Sequence, residues 1–150
     1  MMTLRWAPIL RYLIVTAVLN LVWEMVQLPL YTLWQTGSPS TIGYAVIHCT
    51  AGDVLIAFFS LLGALALARA RHWPAMRFCH VAVITCSLGL AYTVFSEWNN
   101  TVVTRSWEYS HYMPQLWGIG LSPVAQWIFI PSLVFRNLWS YRAAADSLRR

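Results

Sequence analysis

Apolar residues run through this chain in four long blocks, at about 9–34, 43–68, 78–98 and 116–138, separated by short polar stretches. Each block reaches the roughly 20 residues that a helix needs to cross a bilayer. The pattern predicts an all-α protein: an integral-membrane four-helix transmembrane bundle forming one domain over 1–150. The connecting segments carry turn residues. Residues 35–42 read QTGSPSTI, 69–77 hold three arginines around Trp73-Pro74, and 99–115 form a longer polar loop. The first block follows Arg5 and Arg11 in the manner of a signal peptide. It is long, contains Glu24 and lacks a small-residue cleavage site, so it reads as a retained helix.

The polar interruptions inside the blocks carry most of the information. Glu24, Asp53 and Glu97 lie within the predicted spans. A carboxylate at bilayer depth costs about 2.5–3.5 kcal/mol on insertion scales, so such groups face a protein interior and mark a site. Asn20, Glu24, Gln27 and Tyr31 follow helical spacing and make one polar stripe on the first helix. Cys49 with Asp53, Thr93 with Glu97, and Ser122 with Gln126 share faces on the other three. His48 and Gly52 form a face of their own, turned by about 100° from that of Asp53. Placed by depth, these side chains converge on one layer near one end of the bundle. Polar groups in membrane helices also serve as plain interhelical hydrogen bonds, worth about 0.6 kcal/mol on average.

Composition agrees with the membrane reading: 59% of residues are hydrophobic, only 10% are charged, and the mean hydropathy is +0.56. The net charge of +5 comes from arginine, since the chain has no lysine. The arginines are scattered around apolar blocks and form no stripe, which excludes nucleic acid as a partner. They act instead as topology signals. Arg5, Arg11, Arg69, Arg71, Arg77, Arg136, Arg142, Arg149 and Arg150 fall on one side of the predicted bundle and only Arg105 on the other. The positive-inside rule then places both termini in the cytoplasm, with a bacterial inner membrane as the setting if the host is bacterial. Tryptophans mark both interfaces. Cys49, Cys79 and Cys86 show no disulfide or zinc spacing.

Three carboxyls and an imidazole in a low dielectric suit acid–base chemistry, because burial favours the protonated carboxyl and a neighbouring base accepts the proton. The candidate catalytic residues are Glu24, Asp53, Glu97 and His48. The candidate substrate-binding residues are Asn20, Gln27, Trp107, Tyr109 and Gln126. No metal ligand is assigned: an intramembrane metal site remains an alternative, but HExxH, HxxxH and ExxH spacings are absent. GxGxxG, P-loop and GxSxG motifs are absent as well. The sequence leaves any cofactor unknown. The partners implied are membrane lipids, a lipid-soluble small molecule, and a membrane-protein partner or a second copy of the chain. Three functions stay open: an enzyme acting on a lipid-soluble substrate, a non-catalytic accessory subunit, and ion or proton transport.

Trp107-x-Tyr109 and then Gly118-Ile119-Gly120-Leu121-x-Pro123, leading into a helix, resemble a segment of polytopic carotenoid-modifying proteins, the membrane lycopene cyclase domains and carotenoid hydratases. The resemblance covers about residues 107–130; the rest of the chain looks like a small four-helix bacterial membrane protein. It implies an isoprenoid-like substrate. The chain departs from those cyclases after the proline, where Val124, Ala125 and Gln126 replace an acidic pair. An active-site acid would then come from Glu24, Asp53 or Glu97.

Overall fold

A computed structural model describes the backbone of residues 6–147 and the side chains of 6–140. Arg5, Arg149, Arg150 and the Arg142 side chain, used above for topology, lie outside the described residues. The protein is mostly helical: α1 (Trp6–Gln27), α2 (Leu33–Thr36), α3 (Pro39–Leu67), α4 (Phe78–Trp98) and α5 (Leu121–Ser147). A two-stranded hairpin, β1 (Gln115–Leu116) and β2 (Ile119–Gly120), precedes α5.

Local chemistry sets where these helices start and stop. The first helix ends at Gln27, well short of the expected residue 34, because Pro29 offers no N–H and disfavours helical backbone before it. The chain tightens into a 3₁₀ turn, Leu28–Leu30, and then extends at Tyr31. The second long helix begins earlier than expected. Ser38 caps it, its side chain accepting from Thr41 N at 3.2 Å, and Pro39 occupies the first turn, where its missing N–H does no harm. Only α4 matches its expected limits, and beyond it a wide π-helical turn covers Asn99–Val103. The last helix does not begin at 116. Residues 116–119 make the hairpin turn, with Trp117 and Gly118 both at positive φ (53° and 79°), the twist that a two-residue hairpin requires. Trp117 stands 90% exposed at the hairpin tip.

Helix α1 packs against α3 and α5, and α4 packs against the same two. Tyr12, Ala57, Leu61, Ala64, Val81, Trp127, Ile130 and Val134 fill the space between them. At one end, the arginine end, aromatic rings close the core. Phe135 meets Tyr12 and Phe78 at centroid distances of 5.5 and 5.8 Å, and Phe78 also contacts Trp73 and Trp139. The hairpin lies at the opposite end.

The outward faces are apolar. Leu10, Ile14, Val18, Val22 and Val26 form an exposed stripe on α1, and Ile47, Leu55 and Phe59 lie exposed on α3. In water such stripes would drive aggregation; in lipid they are ordinary. Three helical segments, Trp6–Leu30, Pro39–Leu67 and Phe78–Val103, are long and apolar enough to cross a membrane. Together these features mark a membrane protein.

Candidate functional site

The buried face of α1 carries Tyr12, Thr16, Asn20, Glu24 and Gln27, a polar ridge running most of the helix's length. Facing it, α5 presents Ser122 and Gln126, and α3 presents Asp53. The Gln126 amide organises the cluster. Its Nε2 donates toward Asn20 Oδ1 at 2.8 Å, Glu24 Oε1 at 3.0 Å and Asp53 Oδ2 at 2.8 Å. An amide nitrogen has two hydrogens, so three oxygens compete for it and the two carboxyls sit side by side around one donor.

A second amide extends the network. Gln27 Nε2 donates to Glu24 Oε1 at 2.8 Å, and Gln27 Oε1 accepts from Ser122 Oγ at 2.8 Å and from the Trp23 indole at 3.2 Å. Asn20 is anchored by its own donation to Thr16 O at 2.9 Å. The carboxyls are thus held by neutral amides from two other positions on the bundle. Buried polar groups need such partners, since leaving one unmade costs about 1–3 kcal/mol.

Glu97 forms a neighbouring cluster toward the hairpin end. The Tyr109 hydroxyl donates to Glu97 Oε2 and accepts from Gly120 N at 3.0 Å. Gly120 is needed for that approach, because a Cβ there would stand 2.9 Å from the Tyr109 ring. Burial, and then the Glu97 carboxyl beside it, push the Tyr109 hydroxyl above the ordinary tyrosine range and keep it a donor. Segment 108–110 is stitched to the end of α1: Thr32 N donates to Glu108 O at 3.1 Å, and Ser110 N donates to Leu30 O at 2.9 Å. The π-helical turn after Glu97 is pinned by Thr101 Oγ1 on Glu97 O at 2.7 Å. Trp107 is half-buried, and its indole N–H, turned toward Glu97, forms no bond of full hydrogen-bond geometry.

Tyr31 and Cys49 join the two clusters. The Tyr31 ring lies 5.5 Å from that of Tyr109, and its hydroxyl is in electrostatic contact with Glu97, Tyr109 and Glu24; burial above all pushes that hydroxyl up. Cys49 interacts with Glu24, Asp53 and Glu97. Neither residue stood among the candidates. Tyr31 was visible only as the end of the α1 stripe and Cys49 as the face-mate of Asp53, and nothing local in the sequence shows that segment 108–110 folds back over Tyr31.

Of the expected catalytic residues, Glu24 and Asp53 are brought together and Glu97 stands one cluster away. His48 is not brought in. It is exposed and stacks on Tyr44 at 5.5 Å between centroids. Five residues separate it from Asp53, which turns it by about 140° around α3 and out of the core. Of the expected binding residues, Asn20, Gln27 and Gln126 surround the carboxyl pair, whereas Trp107 and Tyr109 cover Glu97. Among the described residues, no three His, Cys, Asp or Glu side chains form a set able to hold a metal ion.

Outside the core, an apolar groove of about 600 Å³ runs along the seam of α1 and α3, lined by Met25, Leu28, Trp34, Ile42, Val46 and Ile47. Met25 and Leu28 adjoin Glu24 and Gln27 in sequence, and Val46 lies one helical turn from Cys49. The groove therefore lies at the same depth along the bundle as the polar cluster.

No family model, curated protein or solved structure matches this chain.

Proposed function

We propose that the chain is a four-helix transmembrane bundle with both termini in the cytoplasm, and that it is an acid–base enzyme for a lipid-soluble, isoprenoid-like substrate. The observation that carries this reading is the convergence of Glu24 and Asp53 on the single Gln126 amide nitrogen. Two carboxyls in contact in a low-dielectric surrounding share a proton more readily than they hold two charges. One then acts as acid and the other as base.

The proposed reaction is redox-neutral. The protonated carboxyl gives its proton to a substrate double bond, forming a carbon cation. The partner carboxylate removes a proton from a neighbouring carbon, leaving the double bond moved or a ring closed. Asn20, Gln27 and Gln126 orient the pair, and Glu97 with Tyr109 and Trp107 covers it on the hairpin side. The α1–α3 groove suits an apolar chain entering sideways from the bilayer.

A second reading is a non-catalytic subunit of a membrane complex. The closeness of the polar packing favours it, since Gln27 and Gln126 are already engaged on several sides.

Native mass spectrometry of protein released in mild detergent separates the two. The enzyme reading expects a retained polyene, quinone or other isoprenoid in the parent protein and its loss in Glu24→Gln and Asp53→Asn. A retained second polypeptide with no small molecule overturns the enzyme reading in favour of the subunit.

A further inference from the structure

One helical turn from the carboxyl pair toward the arginine end, Tyr12, Thr16, Asn20, Ala57, Gln126, Trp127 and Pro131 surround a cavity of about 10 Å³. That is close to the space one water molecule occupies, about 10–15 Å³ on the same kind of measure. A water also needs two to four polar partners, and the cavity wall supplies them from separate elements.

The first partner is the Thr16 hydroxyl. Thr16 is 3% exposed, and its Oγ1 has no hydrogen-bond partner. Thr85 and Thr101 bond the carbonyl one turn back, Val81 O and Glu97 O, both at 2.7 Å, whereas Thr50 and Thr93 share the unpartnered state of Thr16. Thr16 makes no such bond, and the Tyr12 hydroxyl near it lacks the geometry to replace one. The second partner is Tyr12 itself, whose hydroxyl reaches only Ala57 O, at a long 3.5 Å.

The third partner comes from α5 by an independent route. Pro131 lies inside that helix and has no N–H. The carbonyl one turn back, that of Trp127, loses its helical donor, and both residues border the cavity.

We infer that this cavity binds one ordered water, donating to the Trp127 carbonyl and accepting from Thr16 or Tyr12. Unfilled hydrogen-bonding capacity from α1 and α5 meets there, and no apolar occupant would satisfy it. The water extends the polar network of α1, which Asn20 already anchors on Thr16 O, back to Tyr12. The aromatic contacts of Phe135 and Phe78 close that network at the arginine end. The inference concerns hydration of the core, and it stands whether or not the site turns over a substrate.

The test is magnetisation transfer from water to the side-chain protons of Thr16 and Ala57, by NMR on the full chain in lipid nanodiscs. The parent protein is expected to show a long-lived water signal at both. Thr16→Val keeps the shape and removes the hydroxyl; it is expected to abolish the signal. Pro131→Ala returns a donor to the Trp127 carbonyl and is expected to weaken the signal at least several-fold, so it decides the matter if Thr16→Val does not fold. Thr93→Val, which removes a buried unpartnered hydroxyl on α4 away from the cavity, is the control and should leave the signal intact. A parent protein without the signal, or a signal undiminished by the cavity variants, overturns the inference.

Discussion

Gly89 of α4 lies flat against the indole of Trp127 of α5: a Cβ at position 89 would stand 2.0 Å from Trp127 Cζ3. No side chain fits there unless the ring moves, and the ring is ordered core material, 3% exposed, with Gln126 as its chain neighbour. The contact sets how closely α4 and α5 approach and so where the Gln126 amide stands.

Gly89→Ala is therefore expected to destabilise the protein. Helix propensity alone would favour alanine by about 0.8–1 kcal/mol. Overpacking costs about 1–3 kcal/mol, and this overlap is with a rigid ring. The net effect should be a lower midpoint of thermal unfolding in detergent; an unchanged or raised midpoint would show that Trp127 gives way freely.

Replacing Gln126 by leucine removes the donor shared by Asn20, Glu24 and Asp53. Losing the partner of buried polar groups costs about 1–3 kcal/mol, so Gln126→Leu should unfold well before the parent protein. Ser122→Ala, which removes a single bond to Gln27, should cost less. The two thermal midpoints, measured side by side, check the order.

The Tyr109 hydroxyl, pushed upward by burial and by Glu97, implies a direction for pH. A group whose folded value is raised contributes stability that is complete below its unfolded value, about 10 for tyrosine, and is lost as pH rises through the folded value. The contribution of the Tyr109 proton itself should be complete below the ordinary tyrosine range and decline only in strong alkali. Comparing alkaline unfolding of the parent protein with that of Tyr109→Phe isolates the contribution. A loss already complete below pH 9 would contradict it.

Membrane orientation is open to a labelling experiment. In a chain freed of Cys49, Cys79 and Cys86, single cysteines at Gly37 or Trp117 should react with an impermeant thiol reagent added outside intact cells. One at Arg71 should not. The opposite pattern would invert the assignment made from the arginines.

His48→Ala should change thermal stability by no more than about 0.5 kcal/mol, the usual range for exposed positions away from caps and networks. It should also leave ligand retention unaltered. Loss of a bound molecule in this variant would return His48 to the site.

Much of the polar site was legible because helical periodicity is a short-range property. Asn20, Glu24 and Gln27 fall on one face by spacing alone, and Asp53 and Gln126 lie at depths that match them. The neighbouring imidazole was misjudged because a residue's rank by chemistry says nothing of its angle. His48 and Asp53 are close in sequence and depth yet face different media. Segment 108–110 escaped for another reason: its hold on Thr32 and Leu30 is a long-range backbone pairing with no local signature. The ends of α1 and α3 were misplaced because Pro29 and the Ser38–Pro39 cap act locally, inside stretches whose hydrophobicity suggests otherwise.

The rings of Phe135, Phe78, Trp73 and Trp139 at the arginine end bear on energetics as well as packing. Carrying one charge across a membrane against 100 mV takes about 2.3 kcal/mol. If the carboxyl pair works as proposed, taking up and returning its proton on the hairpin side, each cycle ends with no net charge moved across the bilayer, and turnover would neither draw on that voltage nor drain it.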